Sequence, residues 1–195
     1  VPNPKWLFQS DLNEYWSVGD TINVSIGQGH LLCTPLQMLN GTVRIANRGT
    51  LWRPRVIKAL LDEEGNVVRE FPPQPLQTQP LVASNGLATI DREHLEVVRE
   101  GMRRTVTEGT AVGQITFSDP PIGAKSGTAE FGEAVDGKYS EGHAWFSAFG
   151  PYDDPEIAVV VLVVGGHQGS VYAGPIANRI LDAYFHEPGI RTANP

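Results

Sequence analysis

The fold of this chain is decided near its C-terminal end, by the apolar run IAVVVLVV at residues 157–164. The run has the length of a strand and does not alternate between apolar and polar residues, which is typical of a strand buried on both faces. Such a strand needs a covering layer on each side of its sheet, and helices are the elements available here. We therefore expect an α+β fold in which the sheet is flanked by helices.

Two more strands are predicted before this run, at 122–131 and 144–149. The turn sequence PYDDP at 151–155 connects the second of them to the strand at 156–164. We therefore expect antiparallel strands late in the chain. Earlier, residues 53–71 predict a hairpin whose turn is EEGN at 63–66. The proline-rich segment 72–80 predicts an extended connector on the surface.

Three helices are predicted from capping signals and apolar spacing. The first follows the capping sequence TPLQ at 34–37 and ends at 47–49; the second runs from Asp91 to Gly109; the third runs from about 174 to just before Pro188. Their predicted buried faces carry Leu36, Leu39, Val43 and Ala46 in the first, Leu95, Val98, Met102 and Val106 in the second, and Ile176, Ile180, Leu181 and Tyr184 in the third.

The charge of the chain argues against nucleic acid as a partner. Fifteen Lys and Arg face 22 Asp and Glu among 195 residues, so the formal net charge is −7. The densest basic group, Arg99, Arg103 and Arg104, shares its predicted helix with several glutamates, and we interpret it as a solvated face of mixed charge. Cys33 is the only cysteine, which excludes an intrachain disulfide, and we interpret it as a small apolar packing residue.

No stretch of the sequence reaches the roughly 18 apolar residues needed to cross a bilayer, so we expect the chain by itself to be soluble. It opens on VPNP, without an initiator Met or a basic leader, and we expect it to be an excised piece of a longer protein. The five histidines lack metal-ligand spacing, and GQG at 27–29 does not match a dinucleotide-binding loop. We expect no metal and no cofactor.

The tetrapeptide KSGT at 125–128 has residue types suited to binding an anion. Ser126 and Thr128 are two residues apart in a predicted strand, so their hydroxyls point to the same face. Lys125 supplies a positive charge, and Gly127 lets another backbone approach closely. Such an edge could hold the terminal carboxylate of an extended peptide. On the tetrapeptide alone, an ordinary edge strand with outward polar residues is the better interpretation.

The flanking sequence changes that balance. GDTINVSIGQG at 19–29 leads into TPLQM at 34–38, and AKSGTAE at 124–130 is followed by HAWFSAFGP at 143–151. In this order the chain resembles the transpeptidase domain of class B penicillin-binding proteins, above all the elongation type, penicillin-binding protein 2. The resemblance implies the fold shared by these transpeptidases and the serine β-lactamases, with residues 1–195 as the C-terminal part of a single transpeptidase domain.

That family uses three motifs: S-x-x-K with the acylated serine, S-x-N, and K-[ST]-G. Only the third is present, at 125–127, because none of the nine serines begins either of the other two. The resemblance therefore implies a D,D-transpeptidase truncated before its nucleophile motif, which makes this chain inactive by itself. The alternative is a non-enzymatic module that senses β-lactams or binds peptidoglycan peptides.

The resemblance also implies roles for the tetrapeptide. Lys125 sets the electrostatics of the site, and Ser126, Gly127 and Thr128 bind the carboxylate of a D-Ala-D-Ala stem peptide or a β-lactam. The Thr128 N–H forms half of an oxyanion hole, whose other half belongs to the absent serine. The longer parent protein is expected to be anchored in the bacterial inner membrane, with this domain on the periplasmic side, and to serve cell-wall synthesis and cell shape.

Two expectations concern the surroundings of the long apolar strand. In the family fold, strands that precede the nucleophile motif border the segment at 157–164, so their absence leaves an apolar edge and predicts self-association. The glycines at 165, 166 and 169 predict a tight turn, with a glycine-rich rim of the cleft as the alternative.

Overall fold

The structure is a computed structural model that describes residues 2–10, 12, 14–77, 81–82, 89–135 and 138–190. It confirms a mixed architecture of helices and antiparallel sheets. The three predicted helices are present, and three helices that the sequence did not predict accompany them. The helices are α1 (Pro4–Gln9), α2 (Val18–Ser25), α3 (Pro35–Ala46), α4 (Arg92–Thr107), α5 (Gly169–Tyr172) and α6 (Gly174–His186).

The principal sheet has the order β7-β8-β9 and is antiparallel throughout. Its first two strands are longer than predicted, since each has 13 residues. The predicted hairpin is β2–β3, and the predicted connector includes β4, which pairs with β1; its last residues, 78–80, lie outside the described part. The strands are β1 (Leu51–Trp52), β2 (Ala59–Leu61), β3 (Val67–Glu70), β4 (Pro75–Gln77), β5 (Leu81–Val82), β6 (Thr89–Ile90), β7 (Gly123–Val135), β8 (Lys138–Gly150) and β9 (Ile157–Val163).

Helices cover both faces of the principal sheet, as the apolar run predicted. Phe146 and Val161 pack in one core cluster with Leu181 of α6. On the opposite face, Phe149 packs with Met102 of α4 and with the last residue of α3. Burial along β9 alternates between buried and half-buried residues, so the strand is less completely enclosed than its composition predicted.

All three predicted helix faces differ in part from the observed ones. In α3, Leu36 is 55% exposed, and of the four residues predicted to be buried only Ala46 is fully buried. In α4, Val98 is exposed while Arg99 is completely buried, so the interpretation of Arg99 as part of a solvated face is wrong. In α6, the buried positions are mainly small residues together with Leu181, and Ile176 and Ile180 are exposed by 44% and 43%. None of the helices in the described part of the chain combines the length and apolarity needed to span a membrane.

The buried guanidinium of Arg99 connects three parts of the fold. It donates hydrogen bonds to the main-chain carbonyls of Ala46, at the end of α3, and Tyr152, in the turn after β8. Its Nε lies 3.2 Å from a carboxylate oxygen of Glu96. The guanidinium carbon also lies 5.0 Å from the ring centre of Phe149 and 4.9 Å from that of Tyr152. Burial lowers the pKa of Arg99, but a guanidinium in this setting remains charged.

Replacing Arg99 with methionine should lower the free energy of unfolding by about 3 kcal/mol, because two carbonyl groups would lose their donor. The matched control is Arg104→Met, which removes an exposed arginine from the same helix and should cost no more than about 0.5 kcal/mol. Chemical denaturation followed by circular dichroism measures both. Equal losses in the two variants would contradict the structural role assigned to Arg99.

Candidate functional site

The tetrapeptide KSGT lies on β7, the edge strand of the principal sheet. In its ladder with β8, Ser126 faces Phe146 and Thr128 faces Ala144, so the two hydroxyl side chains share one face as predicted. The side chain of Lys125 belongs to the opposite face, and its ammonium group donates to the main-chain carbonyl of Ser126. The strand therefore presents two hydroxyls and a cation at an open edge.

The main chain of Thr128 also faces away from β8. Its carbonyl accepts a 2.9 Å hydrogen bond from the side-chain amide of Gln28, which follows α2. In an antiparallel strand, the N–H and C=O of one residue point to the same side. The Thr128 N–H therefore points toward the open edge, where it can donate a hydrogen bond to a bound group.

Ser126 is held by a residue that the sequence analysis did not single out. Thr110, in the loop after α4, places its hydroxyl oxygen 2.6 Å from the Ser126 hydroxyl oxygen. Helix α4 packs against β7. The loop that carries Thr110 is thus brought beside the strand, and the hydrogen bond limits the rotation of the Ser126 side chain.

A wall of the site is built by α5, which packs on β7 and β8. The N–H of Gly169 donates to the Thr128 hydroxyl over 3.4 Å. A Cβ atom on Gly169 would lie 2.1 Å from the carbonyl oxygen of Gly127 and 2.5 Å from that of Trp145. Only glycine fits at this approach. Gly169 therefore belongs to the rim of the cleft. This is the alternative that the sequence analysis set beside a tight turn.

These elements enclose a cleft of about 680 Å³. Its remaining walls are mainly apolar, and they come from the segment between α2 and α3, from α3 and from β8. Cys33 is exposed and lines the cleft, so its interpretation as a packing residue is wrong. Beyond the tetrapeptide, the lining includes Leu31, Leu32, Met38, His143, Trp145 and Leu162.

The imidazole of His143 is oriented by its surroundings. Its Nδ1 accepts a 3.2 Å hydrogen bond from the N–H of Gly165. Its ring centre lies 4.3 Å from that of Phe131. In the neutral form, the proton is therefore on Nε2. Within the described part of the chain, no three His, Cys, Asp or Glu residues cluster closely enough to hold a metal ion.

The four residues of the edge strand were thus predictable from the sequence, but most of their partners were not. Gln28 and Trp145 lie within the quoted motif segments, although no role was derived for either. For Gly169, the sequence predicts a tight turn, with the rim of the cleft as the alternative. No sequence pattern points to Thr110, because its contact with Ser126 joins the loop after α4 to β7, and only tertiary packing brings these two segments together.

The chain is similar to known proteins over most of its length. Residues 8–182 match the family described as penicillin binding protein transpeptidase domain. The peptidoglycan D,D-transpeptidase MrdA of Haemophilus influenzae is 31% identical over 198 residues, an alignment that covers 96% of this chain and 29% of the relative. The chain therefore spans about three-tenths of the length of that relative.

Solved structures give a consistent result. The penicillin-binding protein PBP2 of Pseudomonas aeruginosa, in complex with WCK 5153, aligns with a TM-score of 0.70 at 29% identity, over 96% of this chain and 37% of that one. Penicillin-binding protein A of M. tuberculosis, as an imipenem acyl-enzyme complex, aligns with a TM-score of 0.67 at 25% identity, over 83% of this chain and 33% of that one.

The close approach at Gly169 makes a measurable prediction. Gly169→Ala should lower the free energy of unfolding by about 2 kcal/mol, because the new methyl group would overlap the main chain of β7. Gly101→Ala is the control: Gly101 lies in the exposed interior of α4 with open space around it, so alanine should raise stability by about 1 kcal/mol. Denaturation curves measure both, and a stabilising effect at both positions would contradict the packing described for α5.

Proposed function

The chain belongs to the penicillin-binding protein transpeptidase family, and on that basis we propose that it forms the C-terminal portion of a peptidoglycan D,D-transpeptidase that cross-links the bacterial cell wall. The observation that carries the proposal is the open edge of β7. There the hydroxyls of Ser126 and Thr128 share one face, and the Thr128 N–H points away from the sheet. This arrangement lies in a cleft with apolar walls.

The edge suits a peptide that ends in D-Ala-D-Ala. The terminal carboxylate can accept hydrogen bonds from the Ser126 and Thr128 hydroxyls, and the ammonium group of Lys125 adds favourable charge. A β-lactam carries a comparable carboxylate and is proposed to bind in the same way.

The Thr128 N–H is proposed as one donor of an oxyanion hole. When a serine attacks the peptide carbonyl, negative charge develops on the carbonyl oxygen, and a fixed N–H donor stabilises it more in the transition state than in the ground state. The side-chain amide of Gln28 supports this donor indirectly, because it holds the Thr128 carbonyl and thereby the peptide orientation.

The attacking serine has no counterpart in these 195 residues, which contain neither S-x-x-K nor S-x-N. Without a nucleophile no acyl-enzyme can form. We propose that the chain contributes binding and oxyanion stabilisation, that the nucleophile belongs to the additional length of a protein resembling the MrdA relative, and that the chain alone is inactive.

The parent protein is proposed to be a serine-type enzyme anchored in the bacterial inner membrane, with this domain on the periplasmic side. The alternative function is a non-enzymatic module that binds β-lactams or peptidoglycan peptides through the same edge. The two proposals share the same binding residues. They differ in whether a serine elsewhere in the longer protein then forms a covalent bond with the bound compound.

The first test is intact-mass spectrometry of the chain after incubation with benzylpenicillin. We expect no covalent adduct, because no nucleophile motif is present. A stoichiometric adduct on any serine would show that another residue attacks, and the proposed division of roles would then be wrong.

The second test measures binding without chemistry. An acetylated peptide ending in D-Ala-D-Ala should shift the amide signals of β7 in an NMR titration. Ser126→Ala and Thr128→Val should each weaken binding by about tenfold, the loss expected for a hydrogen bond to a charged group. Ser147→Ala is the control, since Ser147 lies on the opposite face of the sheet.

If the peptide shifts no β7 signal, the proposed binding edge is wrong. Tight non-covalent binding of benzylpenicillin by the chain, sensitive to the same two substitutions, would favour the sensor alternative over the enzyme.

We also propose that the chain self-associates through β9. Among the described strands β9 pairs with β8 alone, so one of its edges carries unpaired main-chain groups. Apolar side chains are exposed beside it: Val164 is 74% exposed, and α6, which packs on β9, presents Ile176 and Ile180. An uncharged apolar edge of this kind favours pairing with a second copy.

Sedimentation velocity over a wide concentration range should therefore detect a dimer. Val164→Lys should shift the equilibrium toward monomer, because a charged residue at the edge opposes pairing. Val97→Lys is the control, since Val97 is equally exposed but lies on α4. A wild-type chain that stays monomeric at every concentration would exclude the proposed association.

A further inference from the structure

Three arginines surround a second cavity, which lies in the region of short strands between α3 and α4. The cavity has a volume of about 290 Å³ and shares no lining residue with the cleft at β7. It is formed where the segment after β1 meets the end of β3 and the chain that follows. Its lining residues are Arg53, Arg55, Arg69, Glu70, Phe71, Pro72 and Gln74.

Phe71 positions two of the three guanidinium groups. Arg55 donates a hydrogen bond to the Phe71 carbonyl, and the guanidinium carbon of Arg69 lies 4.7 Å from the centre of the Phe71 ring. The third arginine, Arg53, is anchored through its main chain, whose N–H donates to the Gln74 carbonyl over 2.9 Å. The two contacts with Phe71 hold the side chains of Arg55 and Arg69 in place before a ligand arrives, which reduces the entropy lost on binding.

The three cations lack acidic partners within the described part of the chain. None of the ion pairs found there, with nitrogen–oxygen distances up to 4.0 Å, involves Arg53, Arg55 or Arg69. Glu70 is the acidic residue that lines the cavity. Three guanidiniums and one carboxylate leave a local charge of +2 in a chain whose net charge is −7. The cavity therefore attracts anions against the overall charge of the molecule.

We propose that this cavity binds a phosphate group that carries two negative charges, as in a phosphate monoester or a diphosphate. The planar guanidinium fork matches pairs of phosphate oxygens, and arginine is favoured over lysine where such two-point contacts are made. A dianion matches the local charge of the cavity. A single carboxylate offers two oxygens and one charge, so it would leave most of the donors of three arginines without a partner.

Isothermal titration calorimetry of the chain with inorganic pyrophosphate tests the site. We expect one equivalent to bind, and Arg55→Gln or Arg69→Gln to weaken binding by about tenfold or more, since each loses a charge-assisted contact. Glu70→Gln should strengthen binding, because it raises the local charge from +2 to +3. That gain separates a binding site from a purely structural cluster, which would yield no improvement. Arg104→Gln, on the exposed face of α4, is the control and should leave binding unchanged.

A second binding experiment, with phosphatidylcholine vesicles that contain phosphatidic acid, distinguishes a lipid phosphate from a soluble one. Binding to pyrophosphate and to these vesicles assigns the site to a lipid-linked phosphate, whereas binding to pyrophosphate alone assigns it to a soluble phosphate compound. The proposal is overturned if pyrophosphate does not bind, if the arginine variants bind as well as the wild type, or if a glutamate-rich peptide binds more tightly than pyrophosphate. None of these outcomes bears on the function proposed for the cleft, which uses other residues.

Discussion

The buried charge of Arg99 is the interaction on which the arrangement of this structure depends most. A guanidinium without partners inside a protein would cost several kcal/mol, so every group around it must be placed to receive it. Here the guanidinium is compensated by the carbonyls of Ala46 and Tyr152, by the carboxylate of Glu96 and by two aromatic rings. Because these partners come from α3, from α4 and from the turn after β8, the guanidinium sets the position of the sheet relative to both helices.

That constraint extends to the cleft. Helix α4 lies against β7, and the loop at its end brings Thr110 to the Ser126 hydroxyl. On the other side of the strand edge, Gly169 lets the main chain of α5 approach that of β7 at a distance that no larger residue permits. The edge strand is thus held by a hydrogen bond and by main-chain packing, while its hydroxyls remain available to a ligand. Such rigidity is what a site needs to orient a carboxylate and an oxyanion.

Helix α4 shows how reliably apolar spacing predicts which face of a helix is buried. Leu95, Arg99 and Met102 are spaced four and three residues apart, which places all three on one stripe of the helix. The sequence was nevertheless interpreted with Val98 on the buried face and Arg99 on a solvated one, because the side chain of Arg99 is charged. The structure resolves the conflict, because carbonyl acceptors that are remote in sequence compensate the buried charge. In α6, close packing against the sheet selects small residues for the buried stripe and leaves two isoleucines outside it.

By itself, the sequence determined the α+β class, the antiparallel strands, the limits of the three main helices and the residues of the edge strand at 125–128. Each of these follows from local signals: caps, turns, apolar spacing and the two-residue repeat of a strand. Tertiary structure alone decided the burial of Arg99, the exposure of Cys33 in the cleft, the partners of Ser126 and Thr128, and the convergence of three arginines on one cavity. The physical reason is that these features depend on contacts between residues distant in the chain, and such contacts leave no periodic trace in a single sequence.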